Sequence, residues 1–371
     1  MESFHYSSYA QEVIFGAGSL SRLSEAVQRF GPRRFLLCTG RSVRAGGHVD
    51  SAQAMLGERL AAVFDQVRPH VQDVQVSEAL RIAREKNVNM LIGMGGGSPI
   101  GMAKAVAAAL EKEATHVPVM AIPTTYAGSE MTPVYGITRT DEHPPRKVTA
   151  SHPRSVPALV IYDPELTLDL PPGLTASTGI NALAHCIEAL YSIKRNPLST
   201  AAALQGVCHI MNALLRCYQD GNDLEARTEM LLGSHLAGLS LATVTMGLHH
   251  GLCHVLGGTA GLPHGIANSI ILPHAMRFNA EATATELLPA AEAMGVSLNG
   301  TSPTGLVEAA AQKVSELIHR TDLPQRLREA GVRESDLQNL AALAFQNRTV
   351  QNNPKLITDV SQIEKLLREA W

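Results

Sequence analysis

The sequence predicts two domains of different class: an α/β domain with a largely parallel sheet over residues 1–165, and an all-helical domain over 166–371. Three observations carry this. The first half alternates short apolar β-type runs with helical stretches rich in Ala, Leu and charge, the βαβ texture of a parallel sheet. After about Leu166 no strand pattern recurs. Between the two lies a proline-rich corner, Asp163-Pro164 to Pro171-Pro172-Gly173, which continues neither a strand nor a helix.

In chain order, the runs 34–39 (RFLLCT), 62–67, 90–94 (MLIGM), 117–122 (VPVMAI) and 158–162 (ALVIY) are predicted strands. Segments 50–61, 76–86 and 99–112 between them are predicted helices. Sheets of this kind bind ligands at the carboxyl ends of their strands. Beyond the corner, 175–191, 200–218, 224–248, 280–293 and 305–318 read as helices, and 363–371 as a last amphipathic one whose Trp371 docks on the surface. The apolar opening segment 13–18 could pair with the sheet edge of a second copy.

Composition narrows the function. Of 371 residues, 45% are hydrophobic and 18% charged, which excludes disorder. With 31 basic against 34 acidic side chains, a net charge of -3 and no basic block, there is no electrostatic footprint for nucleic acid or an anionic membrane. Small molecules are the expected partners. The five cysteines are scattered and form no CxxC, as expected of reduced, buried thiols in a cytoplasm. The polar start Met1-Glu2-Ser3-Phe4-His5-Tyr6 gives no export signal, so a cytoplasmic protein is expected. The most apolar stretch, 231–248, carries too many polar residues to span a bilayer and reads as a buried helix.

Gly95-Gly96-Gly97-Ser98-Pro99 follows a predicted strand and opens a helix, with Ser98 placed as N-cap and Pro99 at the first helical position. Backbone N–H groups there could cradle a phosphate; the same residues also make an ordinary tight strand-to-helix turn. A second polar loop, with Thr124, Thr125 and Ser129, follows the next strand, where each hydroxyl could bind a nucleotide or cap a turn. After the first strand stands Gly40, beside Arg41. No carboxylate is there to hold a ribose diol, which permits a 2′-phosphate and hence NADPH.

Asn181 and His185 are spaced i, i+4 on one helix, with Glu188 a turn further along, and His250 and His254 repeat that spacing. With His264, three helices can bring Asn181, His185, His250 and His264 to one point, as a metal or acid/base site requires. A lone histidine is more often a hydrogen-bonded core residue, but so many imidazoles would each need a partner. Three imidazoles and an amide make a weak site for Fe²⁺, which prefers a carboxylate.

These residues resemble the iron-containing (group III) alcohol dehydrogenases, a family that includes glycerol dehydrogenase-like and maleylacetate reductase enzymes. The resemblance runs through GGGSPIGMAK (95–104), PTTYAGSEMT (123–132), IYDPELTLDLPPGL (161–174), TGINALAHCIEALYS (178–192) and HHGLCHVLGGTAGLPHGIANSIILPHA (249–275). It implies an N-terminal Rossmann-like dinucleotide-binding domain and a helical metal-site domain, the architecture shared with dehydroquinate synthase, and a homodimer. The family's metal ligands, one Asp and three His, fall on Asn181, His185, His250 and His264, with Fe²⁺ or Zn²⁺ as the ion. His254 matches a histidine near the nicotinamide that relays a proton. Gly95, Gly96, Gly97, Ser98, Thr124, Thr125 and Ser129 match the loops that contact NAD(H) or NADP(H), and Lys147 a lysine near the cofactor ribose. Gly40 stands where some members carry an NAD-selecting acid.

Asn181 at the Asp position, with PTTYAGSEMTP and LHHGLCHVLGG, is similar to the maleylacetate reductases, which act without metal. That branch usually has a Lys where Gly251 stands, and an Ala-Glu-x-His run where this chain has Gly265-Ile266-Ala267-Asn268. The resemblance implies reduction of an activated, carboxylated enone or ketone; the oxyanion that develops needs a donor, which a metal supplies in the wider family and which protonated His250 or His254 could supply here. Three alternatives stay open: a metal-dependent alcohol dehydrogenase, a dehydroquinate synthase-type lyase, and a cofactor-binding protein without catalysis.

Overall fold

The computed structural model describes residues 4, 6–112, 116–141, 146–297 and 299–371; the side chains of Arg146 and Lys147 lie outside that description. The sheet unit covers 8–170 where 1–165 was expected, and the described residues before Ser8 group with the helical unit. The reason is local. Asp163 accepts hydrogen bonds from the amides of Gly18 and Leu20, and Leu166 packs into the sheet's core, so the segment after the last strand stays with the sheet.

The first unit holds strands β1 (Glu12–Phe15), β2 (Phe35–Thr39), β3 (Leu60–Phe64), β4 (Met90–Gly95), β5 (Val119–Pro123), β6 (Val134–Arg139), β7 (Arg146–Ser151) and β8 (Leu159–Tyr162), with helices α1 (Leu23–Gln28), α2 (Arg41–Ala45), α3 (His48–Leu56), α4 (Asp73–Glu85) and α5 (Gly97–Glu111). Six strands form one parallel sheet in the order β1-β8-β5-β4-β2-β3. Strand β2 has β3 on one side and β4 on the other, so the strand order reverses there and a crevice opens at the carboxyl ends of β2 and β4. Ligands of doubly wound sheets bind at such a switch point. One face is packed by α1 and α3, the other by α4 and α5.

The opening segment, expected over 13–18 to pair with a second copy, forms strand β1, which pairs in parallel with β8 of its own sheet, through Glu12↔Leu159 to Phe15↔Tyr162, as an edge strand. The antiparallel hairpin β6–β7, from Val134↔Ser151 to Arg139↔Arg146, was not anticipated.

The second unit contains α6 (Pro172–Tyr191), α7 (Pro197–Gln219), α8 (Leu224–Leu241), α9 (Leu248–Thr259), α10 (His264–Ala293), α11 (Pro303–His319), α12 (Leu337–Phe345), α13 (Arg348–Gln351) and α14 (Val360–Ala370), and among its described residues no strand. Helix α7 opens on a capping box, Asn196 with Ser199, and Pro197 at N1. It is long and apolar enough to cross a membrane by length and composition, and it packs against α6 and α8. Trp371 docks beyond α14, its indole N–H donating to the Val332 carbonyl at 2.9 Å.

The expected single helix over 224–248 is two helices. It breaks after Leu241 at the β-branched run Thr243-Val244-Thr245, a poor helix former, where the Ser192 hydroxyl donates to the Thr245 carbonyl at 2.7 Å. His250 therefore sits in the first turn of a new helix, not near the end of a long one. Helix α10 starts at His264, as expected of the third helix carrying the histidines, and runs unbroken through Pro273 and Pro289 to join the expected 280–293.

Candidate functional site

The sheet unit gathers one group of candidates. At the switch point the Thr39 hydroxyl donates to the Met94 carbonyl at 2.8 Å, tying the end of β2, where Gly40 follows, to the end of β4. The Ser98 expectation is corrected here: helix α5 begins at Gly97, its cap is Gly96 in extended conformation (φ -79°, ψ -164°), and Ser98 lies inside the first turn. No side chain caps this helix, so its first amides are open to an anion. A Cβ on Gly96 would lie 3.1 Å from both Oγ1 and Cγ2 of Thr125, so the loop has room there for a backbone and no more. Thr124 donates its amide to the Gly95 carbonyl at 3.1 Å. The buried Ser129 hydroxyl has no hydrogen-bond partner among the described residues and lies 3.8 Å from where a Gly97 Cβ would be. An uncapped helix start, a glycine floor and an unsatisfied hydroxyl fit a dinucleotide's phosphates. Lys147 lies on β7, opposite Thr138; its side chain is outside the described residues.

The helical unit gathers the other group. Asn181, His185 and Glu188 share one face of α6, all buried. On α9, Leu248, Leu252 and Leu256 face the core formed with α12, α13 and α14, which turns His250 and His254 to the opposite side. The rings then form a continuous patch. His185 stacks on His250 with centroids 4.6 Å apart, His264 lies 6.0 Å from His250, and His254 stacks on His264 at 5.8 Å. All four named histidines thus come together, with Asn181 one turn from His185.

Two residues matter more than the sequence indicated. Glu188 is fully buried and accepts the amides of Gly247 (3.0 Å), His249 (3.2 Å) and His250 (3.2 Å), and its Oε2 lies 2.6 Å from His250 Nδ1. His249, absent from the expected site, fixes the proton pattern. Its Nε2 faces the Asn268 carbonyl at 3.3 Å and must donate, so its Nδ1, 3.2 Å from His250 Nδ1, accepts. His250 therefore carries its proton on Nδ1, shared between Glu188 and His249. Its Nε2, buried with no partner among the described residues, presents a lone pair. The signal was present in the sequence as the His249-His250 doublet and the His185-x-x-Glu188 spacing.

Burial, then repulsion by neighbouring imidazoles, holds the His185 and His250 pKa values well below 6.5; burial lowers His249 too. Protonated His250, expected as oxyanion stabiliser, is thus corrected: a neutral ring with its proton on Nδ1 cannot donate from Nε2. Burial pushes the Glu188 carboxyl up, while His249 and the amides pull it back. Histidines with depressed pKa bind protons more readily in the unfolded chain, so their stability contribution is present above about pH 6.5 and is lost as pH falls, at about 1.4 kcal/mol per pH unit for each. His235, His274 and Lys104, whose ammonium is pulled down to about 7 by burial, act in the same sense and the raised carboxyls of Glu130 and Glu188 oppose it, six groups against two. Urea unfolding should give markedly lower stability at pH 5.5 than at pH 7.5; equal midpoints would show that the histidines are charged in the folded protein.

Comparison with known proteins decides the family. Residues 10–164 match the iron-containing alcohol dehydrogenase model and 175–371 the model for the C-terminal part of the Fe-containing alcohol dehydrogenase family. The chain belongs to the iron-containing alcohol dehydrogenase family. It is 39% identical over 360 residues to a maleylacetate reductase of Pseudomonas knackmussii, covering 97% of this chain and 95% of that protein. It superposes on the crystal structure of maleylacetate reductase from Agrobacterium tumefaciens with a TM-score of 0.88 at 33% identity (100% and 99% covered), and on 1,3-propanediol oxidoreductase with a TM-score of 0.92 at 31% identity, both chains covered in full. This chain is accordingly an NAD(P)-dependent oxidoreductase with the family's parallel-sheet and all-helical architecture.

The family implies a metal as well as NAD(P), and among the described residues Glu188, His249 and His250 form one candidate group, with ligand atoms within 4.8 Å of one another. The donor chemistry fits a ferrous ion poorly. Asn181, His185, His250 and His264 offer no negative charge. Glu188 is engaged by three amides and by His250 at a hydrogen-bond distance, the arrangement of a carboxylate that orients a histidine.

Gly251 and Gly265, where the chain departs from the maleylacetate reductase pattern, are close-packed. A Cβ on Gly251 would lie 2.9 Å from the Val350 amide nitrogen, and one on Gly265 2.7 Å from the Ser177 Cβ. Gly251→Ala should cost about 1–3 kcal/mol of stability by overpacking, measured by denaturant titration; an unchanged midpoint would mean that α13 moves aside freely.

Proposed function

We propose that this enzyme reduces an activated, carboxylated enone or ketone with NAD(P)H and without a metal, maleylacetate to 3-oxoadipate being the first candidate. The observation that carries the reading is the imidazole cluster with Asn181 and, among the described residues, no carboxylate but Glu188, which is spent on orienting His250. The maleylacetate reductases to which the chain is similar at full length support the substrate class.

The Gly95–Gly97 turn, Ser98, Thr124, Thr125 and Ser129 would hold the dinucleotide, whose nicotinamide supplies the hydride. Gly40 leaves no acid at the end of β2, and Asp65 beyond β3 is held by Arg44 at 3.0 Å, so a 2′-phosphate meets no free carboxylate from either and NADPH is accepted as well as NADH. Addition of hydride to an enone leaves negative charge on the carbonyl oxygen, and one proton then completes the saturated ketone. His254, half-buried and stacked on His264, donates to that oxygen and relays the proton. His250, fixed by Glu188, offers its Nε2 lone pair as the acceptor that orients a water or substrate hydroxyl in the relay to His254. The enzyme acts in the cytoplasm, where its thiols stay free, and as a homodimer using the outer edge of β1, where Val13 is exposed.

One observation favours a second reading. His185 Nδ1 and His250 Nε2 are buried without hydrogen-bond partners among the described residues, as in a metal-dependent alcohol dehydrogenase in which Asn181 coordinates through its amide oxygen. Oxidation of NADH and NADPH by chelator-treated protein, with its metal content measured, separates the two. Turnover of maleylacetate without metal is the expected result. Activity on simple aldehydes alone, restored only by Fe²⁺ or Zn²⁺, would overturn the proposal.

A further inference from the structure

Lys104 lies in the middle of α5, with no exposed surface. The other core-facing residues of this helix, such as Ile100, Met102, Ala103 and Val106, are apolar and suffice to pack it on the sheet. A buried lysine is costly unless its charge is met. Its hydrogen bonds among the described residues all go to main chain: Nζ donates to the Ser129 carbonyl, to that of Thr132 at 2.7 Å and to that of Val134 at 3.1 Å. Three acceptors require three N–H donors, which an ammonium has and a neutral amine lacks.

The turn that receives these bonds is fixed from other sides too. Glu130 is fully buried, its Oε1 accepting the Tyr162 hydroxyl at 2.7 Å, and its carbonyl accepts the Gln11 amide at 2.9 Å. Among the described residues the turn leaves two buried atoms without a hydrogen-bond partner, Glu130 Oε2 and the Ser129 hydroxyl, and the hydroxyl lies beside the start of α5. Burial pulls the Lys104 pKa down to about 7, which the Glu130 charge resists.

We propose that Lys104 is a positioning residue for cofactor binding: its ammonium gathers the carbonyls of Ser129, Thr132 and Val134 and so holds the Ser129 hydroxyl in register with the first turn of α5. The proposal rests on the reading of that loop as the dinucleotide site. Lys104 touches neither cofactor nor substrate; it sets the shape of a surface that touches the cofactor. A neutral side chain of similar length fills the same volume but releases the turn. A residue of merely structural value would, on replacement, lower thermal stability and leave the affinity of the folded fraction alone.

The test is fluorescence titration of the full chain with NADPH and NADH, alongside steady-state kinetics and hydrogen exchange, for wild type and Lys104→Met. The expected result is a rise of tenfold or more in the dinucleotide Kd and a matching rise in its KM. At saturating cofactor, kcat should stay within about threefold, since the helical unit's histidines are untouched. Faster exchange should be confined to 128–134. If Lys104→Met does not fold, Lys104→Gln, which keeps two N–H donors, takes its place under the same criterion. A folded variant with Kd within twofold of wild type, or with kcat lost at constant Kd, overturns the inference while leaving the dinucleotide site in place. Failure of the wild type to bind either dinucleotide overturns both. Binding without turnover of any substrate overturns the proposed reaction and leaves the Lys104 comparison intact.

Discussion

Replacing His254 with alanine should lower kcat by about 10² to 10⁴ and leave the dinucleotide Kd within about threefold. The reasoning turns on the difference between two histidines a helical turn apart. His250 is buried, neutral, and carries its proton on the side facing Glu188 and His249. It has nothing to give a developing oxyanion. His254 is half-buried on the same face of α9, 6.4 Å from His250 between ring centroids and stacked on His264, so it can reach a substrate and exchange its proton. Stopped-flow reduction of maleylacetate under single-turnover conditions would separate the chemical step from product release. A His254→Ala enzyme with an unchanged single-turnover rate would remove this residue from the mechanism and shift the donor to His264 or solvent.

Much of this arrangement was legible in the residues, because period and spacing are local. The i, i+4 pairs Asn181/His185 and His250/His254 need only a helix to share a face, and both segments are helical. The glycine loop needed only a strand before it and a helix after it. Boundaries and partners were less legible. The break at Thr243-Val244-Thr245 turns on a balance between helix propensity and what the freed amides can find, and they find Glu188, distant in sequence. The register of that helix then decides which nitrogen of His250 is protonated, a fact no spacing carries. The partner of strand β1 and the hairpin β6–β7 are illegible for a similar reason: short edge segments such as Glu12–Phe15 alternate weakly, and their pairing is fixed by neighbours far along the chain.

Changes at Glu188 should separate its two tasks. As a cap it accepts three amides at the start of α9; as an orienter it holds the His250 ring and its tautomer. Glu188→Ala removes the acceptor from several buried donors at once. At about 1–3 kcal/mol for each unsatisfied group, it should destabilise the fold by several kcal/mol, seen as a large drop in the denaturation midpoint. Glu188→Gln is more informative. Its amide oxygen still accepts from Gly247 and His249, but its NH₂, in the place of Oε2, no longer accepts the His250 amide, so the stability loss should be about 1–3 kcal/mol; facing the ring, that NH₂ stabilises the other tautomer, with the proton on Nε2. Changes to a carboxylate that orients a functional histidine cost roughly 10–100-fold in activity, and the loss should fall on kcat with the dinucleotide Kd unchanged. The ¹⁵N chemical shifts of the His250 ring report the tautomer directly. Loss of activity without a tautomer change would make Glu188 a cap alone; a tautomer change without loss of activity would remove the His250 lone pair from the proposed relay.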